Sequence, residues 1–140
     1  MPVSVMIFYT RRPDFTPTEF RNYMESTHVP LVAEVMGAHY PITFTRRYVE
    51  RVGSGAGDRL GAPAASRKNA EPTAPVLLVG SPSEHNWDMQ GELTFRDELH
   101  LQQCFTLLNT ETGQAVKDDE ENFTIPNAFT VILIGETVSA

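Results

Sequence analysis

The chain has 140 residues, enough for one hydrophobic core and too few for two, because domains usually run about 100–150 residues. Its 18 acidic residues outnumber its 11 lysines and arginines, and a net charge of −7 repels phosphate backbones, so no nucleic acid partner is expected. No apolar run approaches the roughly 18 residues of a membrane span, so no membrane partner is expected either.

The opening residues MPVSVMIFYTRRPDF alternate as a strand does and show no basic leader before an apolar stretch. Together with the lone Cys104, which leaves no partner for an internal disulfide, this predicts a reducing, cytoplasmic location. Val3 to Thr10 form the first predicted strand, with both alternating sets largely apolar and therefore both faces covered. Arg11-Arg12-Pro13-Asp14 ends it. Thr16 then caps a helix that has Pro17 in its first turn and Glu19 reaching back to complete a capping box. Phe20, Tyr23, Met24, Thr27, Leu31 and Val35 fall on one stripe, and Gly37 supplies the left-handed stop. Pro30 lacks the N–H that would bond Ser26 and predicts a kink at His28, with Val29 pushed out of helical geometry.

Residues 40–52 read as a second strand with one apolar and one polar face. Residues 53–75, rich in Gly, Ala, Ser and Pro, read as a long loop that is mobile or a lid, and the run Pro75 to Gly80 fits either an extra strand or the start of the third. Trp87 to Phe95 alternate as that third strand, residues 97–111 follow as a helix capped by Asp97, and Ala128 to Val138 form a buried final strand. The acidic run 118–121 reads as a solvated surface. The order predicts one α+β domain over 1–140, a ferredoxin-like split βαβ arrangement (βαββαβ). Two helices on one face leave the other sheet face bare, and a homodimer formed through the sheets is the expected cover.

The segment FYTRRPDFTPTEFRNYMESTHVPL, with its aromatic strand end, basic turn, Thr16-Pro17 helix start and His28-x-Pro30-Leu31 step, resembles the opening of EthD-domain proteins, a branch of the dimeric α+β barrel superfamily. The later WDMQGELTF strand resembles the family's third strand. The resemblance covers about two-thirds of the chain and leaves out the 53–75 loop. It implies an activity similar to the fungal decarboxylases of anthraquinone-type polyketide pathways that act on atrochrysone carboxylic acid, with cyclases and dehydratases as sister activities.

Four histidines are the first candidates for proton transfer, since imidazole changes charge between about pH 5 and 8. His28 ranks first because it returns to the apolar stripe beside the proline, and the alternative reading is a satisfied helix-end histidine. His85 stands at the mouth of the third strand, where loop-borne polar groups meet ligands, and is the second catalytic candidate. His100 lies four residues before Cys104, at the edge of a buried stripe, and is a candidate for substrate contact or packing; His39 is expected to bond helix-end carbonyls. Tyr9 offers a phenol to an enolate oxygen, and Arg46 or Arg47 offers a guanidinium to a carboxylate. Asp88 and Glu92 share a strand face and become proton donors if that face is the cavity. Phe8, Phe44, Trp87, Leu93 and Phe95 are expected to enclose planar rings.

Neither His-x-x-x-His nor His-Glu-x-x-His occurs, the Gly53 to Gly57 segment lacks the lysine and helix of a phosphate loop, and Cys104 on its apolar stripe reads as a small hydrophobe. The expectation is therefore decarboxylation of an aromatic polyketide acid without metal or cofactor. Cyclisation or dehydration through the same enolate, and ligand binding by a non-catalytic dimer, stay open beside it.

Overall fold

The computed structural model describes residues 1–139. Strand β1 (Val3–Tyr9) is followed by helix α1 (Pro17–Tyr23), a π-helical turn (Met24–His28) and helix α2 (Val29–Met36). Strand β2 (Thr43–Tyr48), the short helix α3 (Ala56–Arg59), strand β3 (Met89–Phe95), helices α4 (Glu98–Leu108) and α5 (Gln114–Phe123), and strand β4 (Thr130–Ile134) complete the order. The strands form one sheet in the order β2-β3-β1-β4, with every neighbouring pair antiparallel. β1 and β2 thus run parallel with β3 inserted between them, which is the ferredoxin-like split βαβ arrangement.

The helix-start signals of α1 are realised together: Thr16 accepts from the Glu19 N–H, and the Glu19 carboxylate accepts from the Thr16 N–H. Gly37 closes α2 with φ +51°, a value that excludes most other residues at low cost. The expected kink at Pro30 takes another form. Val29 stays helical (φ −60°, ψ −44°), and the irregularity is the π turn ending at His28, which places the proline in the first turn of α2 where its missing N–H is tolerated.

All helices that pack on the sheet lie on one face. Val5, Ile7, Tyr9, Met89, Leu93 and Phe95 point into that layer and meet Phe20, Met24, Val32, Met36, Cys104, Val116 and Phe123. β1 is therefore not covered on both sides: Ser4, Met6 and Phe8 face away from the helices and stay partly exposed. β4 is not buried either, with Ile132 48% and Leu133 64% exposed, because it is the sheet edge and the helices do not reach over it.

Two segments depart from the sequence reading. Residues 53–75 are not an open loop: Gly55, Ala56, Gly57 and Ala65 are buried among short helical turns. The run 75–80 forms no strand, only an isolated bridge from Arg51 to Pro75. Helix α5 was not expected. Its inward stripe is Val116, Asp119 and Phe123, so a carboxylate occupies the position where an apolar residue would reveal the helical period. Among the described residues no helix is long and apolar enough to cross a membrane.

Candidate active site

The sheet and the helix layer enclose a cavity of about 130 Å³. Its walls are apolar, with Phe44, Leu93 and Phe95 from the strands, and Met36, Phe105 and Leu108 from the helices. The exposed side chains Phe105 and Val131 mark its mouth between α4 and the β4 edge. Three polar side chains touch the cavity: Tyr9, Glu120 and Lys117.

Tyr9 ends β1 on the inward parity, stacked on Phe129 with ring centroids 4.5 Å apart. Its hydroxyl donates to Glu120 Oε2 at 2.5 Å. Burial first, and then the charge and hydrogen bond of Glu120, push the phenol well above its ordinary range, so Tyr9 remains a protonated donor at neutral pH. Behind these two lies His28, 1% exposed and placed by the π turn against Phe123. Its Nδ1 is 2.8 Å from Asp119 Oδ2, and its Nε2 is 3.6 Å from Glu120 Oε2 with no hydrogen-bond partner.

Asp119 sets the tautomer. Burial works to raise its pKa, but hydrogen bonds from Tyr23 Oη (2.6 Å), His28 and Asn122 outweigh that and hold it below the usual carboxylate range. An ionised carboxylate only accepts, so His28 Nδ1 carries a proton and Nε2 is the atom left for exchange. The unit is ordered Asp119, His28, Glu120, Tyr9, with the last two facing the cavity. The π turn that presents His28 is itself tied to β2, where Glu25 accepts from Arg46 Nε (2.6 Å) and Tyr48 Oη (2.5 Å).

Of the residues proposed from sequence, the structure brings together His28 and Tyr9 and places Phe44, Leu93 and Phe95 on the cavity wall. The others lie elsewhere. Phe8 and Glu92 have the opposite strand parity; Glu92 sits across from Met6 and Thr45 on the open sheet face. Arg47 is exposed on that face and donates to Gln90 Oε1, while Arg46 is occupied by Glu25. His85, Trp87 and Asp88 line a separate cleft at the strand ends. His100 is buried beside Phe95, but its Nδ1 accepts from the Arg96 N–H and its Nε2 reaches the carbonyls of His39 and Tyr40, a purely internal set of bonds. Cys104 lines the cavity, with burial pushing its thiol up to about 11, so it is no thiolate at neutral pH.

The sequence places Asp119 and Glu120 in an acidic run expected on a solvated surface, whereas the structure buries Asp119 and sets Glu120 on the cavity wall. The signal for them was the seven-residue spacing of Val116 and Phe123, which puts positions 119 and 120 on the inward side of one helix.

A family model for the EthD domain matches residues 12–126. Among solved structures, the chain resembles an EthD family protein from Bacillus halodurans (20% identity, TM-score 0.55, covering 98% of this chain and all of that one). It also resembles an EthD-like protein from Ralstonia eutropha (13% identity, TM-score 0.51, covering 95% of this chain and 87% of that one). At these identities the likeness is one of fold. No curated protein matches the chain.

Proposed function

The chain belongs to the EthD-domain family, and from that premise we propose that it is a cofactor-free acid–base enzyme that decarboxylates an aromatic β-keto acid of the polyketide type. The observation that carries this reading is the buried His28–Asp119 pair, whose unpartnered Nε2 backs the Glu120–Tyr9 couple on the floor of an apolar cavity.

A cavity of about 130 Å³ takes roughly one aromatic ring, as apolar cavities of similar size do. The remaining rings of a fused substrate such as atrochrysone carboxylic acid would lie in the mouth between Phe105 and Val131. Lys117 on the wall draws in the carboxylate. Decarboxylation breaks the ring-to-carboxyl C–C bond, releases carbon dioxide and leaves the electron pair on the neighbouring carbonyl as an enolate. Tyr9 turns its O–H from Glu120 to that oxygen. The apolar walls favour the spread enolate charge over the localised carboxylate. A proton taken up from solvent at His28 Nε2, with Nδ1–H kept on Asp119, passes to the Glu120 carboxylate and from it to the carbon, which leaves His28 neutral and Glu120 ionised as before.

Two further parts of the reading concern assembly and location. The uncovered sheet face and the exposed β4 edge support a homodimer joined through the sheets, and the single buried cysteine supports a reducing cytoplasmic setting.

The test is incubation with a panel of aromatic polyketide acids followed by mass spectrometry. Loss of carbon dioxide with wild type and not with His28→Ala supports the proposal. Retained carboxyl with ring closure or loss of water moves the assignment to a cyclase or dehydratase. Ligand binding that survives His28→Ala with no turnover by wild type leaves a binding protein.

A further inference from the structure

The chain has a second concave site, a cleft of about 410 Å³ where the β1–α1 turn, residues 71–75 and the segment leading into β3 converge. Its chemistry is the inverse of the first: Arg11, Arg51, His85 and Asp88 line it, with Trp87 beside them. Asp88 is shared. Its Oδ2 accepts from the Arg11 N–H at 2.7 Å, and its Oδ1 accepts from Arg51 Nη2 at 2.5 Å and lies 3.5 Å from Arg11 Nε. Two guanidiniums with side chains only 21% and 16% exposed therefore have one carboxylate between them, which leaves one positive charge uncompensated. Glu71, the cleft's other acid, is exposed and makes no ion pair among the described residues.

Four buried side-chain nitrogens in the described residues lack a hydrogen-bond partner, and three of them belong to this cleft: Arg11 Nε, Arg51 Nε and His85 Nε2. Polar groups left unpaired out of water are costly, the two guanidinium nitrogens can only donate, and their concentration beside His85 in one place is what a site for an anionic acceptor looks like. The His85 ring lies against Trp87 (5.0 Å between centroids) and Trp87 against Phe8 (5.3 Å), so the imidazole is held in place rather than free to swing into solvent.

We propose that this cleft is an anion subsite, in which Arg11, Arg51 and His85 bind the carboxylate or phosphate of a small molecule while Asp88 holds the two guanidiniums in position. It shares no lining residue with the cavity at His28. Asp88 is a positioning residue here, not an acid.

Trp87 is the only tryptophan in the chain and lines the cleft, so its fluorescence reports on this site alone. The full-length protein is titrated separately with inorganic phosphate and with acetate at constant ionic strength held by chloride. The proposal expects a saturable Trp87 response to at least one anion. A response to phosphate alone identifies a phosphorylated ligand, to acetate alone a carboxylate, and to both a general oxyanion site. Arg51→Gln should weaken the response at least about tenfold. His85→Gln, on an exposed segment outside any helix or strand, should weaken it as well and serves if the Arg51 variant does not fold. No saturable response to either anion up to about 50 mM, or an affinity unchanged in His85→Gln, overturns the proposal.

Discussion

Phe8 and Tyr9 are neighbours in sequence and stand on opposite sides of the sheet. Tyr9 points under the helices, where burial and Glu120 keep its hydroxyl protonated beside an apolar cavity. Phe8 points away and packs its edge on Trp87, next to a cleft lined by guanidiniums. The covered face keeps water out and holds a few polar groups in fixed contact, which suits proton transfer. The cleft at the strand ends gathers surplus donors at a wet surface, which suits holding an anion. One residue of register separates the two chemistries, so a change on one face should leave the other's work intact.

The largest effect separates the two histidines. His28→Ala should cut kcat for the proposed decarboxylation by about 10²–10⁴-fold, the usual contribution of a positioned acid–base group. His85→Ala should leave kcat within a factor of two or so of wild type, since the ring lines only the strand-end cleft. Steady-state carbon dioxide release measures both, and equal losses would break the division of labour between the faces.

Neighbours on β1 give a finer test. Tyr9→Phe removes the proposed donor to the enolate and should lower kcat by about 10²-fold with KM little changed, while Phe8→Leu should leave kcat near wild type. On β3 the same contrast appears in stability. A Cβ at Gly91 would stand 2.7 Å from Ile7 Cγ1 and 3.0 Å from Phe44 Cε1, so Gly91→Ala should cost about 1–3 kcal/mol in urea unfolding. Glu92→Ala on the open face should stay within about 0.5 kcal/mol.

How much of this was legible in the sequence follows from the same alternation. The capping box at Thr16, the stop at Gly37, the order of the strands and the inward placing of His28 all rest on local or periodic signals, and the structure contains each of them. The sites were harder. Strand alternation shows which residues share a face but not which face the helices cover, so it leaves open whether the Glu92 face or the Leu93 and Phe95 face is the cavity, and it does not say that Phe8 on β1 stands on the face opposite Leu93. Trp87 and Asp88 lie before β3 begins, where period-two counting no longer applies. Asp119 and Glu120 were hidden for another reason: a functional carboxylate on the inward side of α5 erases the apolar period by which a buried helix is recognised.

The smallest predicted effect concerns Asp119 and acid. Its pKa is held below the unfolded value by Tyr23, His28 and Asn122 against the opposing effect of burial. A group depressed in the folded state contributes stability that is fully present above the unfolded carboxylate pKa, about 4, and is lost as pH falls through the folded value. Asp119→Asn keeps the shape but removes this term, so wild type should exceed the variant in urea midpoint at pH 7, and the gap should narrow below about pH 4. A gap that stays constant down to pH 3 would mean that Asp119 acts by packing alone. The carboxylate would still be ionised at pH 7, but its hydrogen bonds would then contribute nothing to the folded state, and the orientation that turns His28 Nε2 toward Glu120 would lose its support.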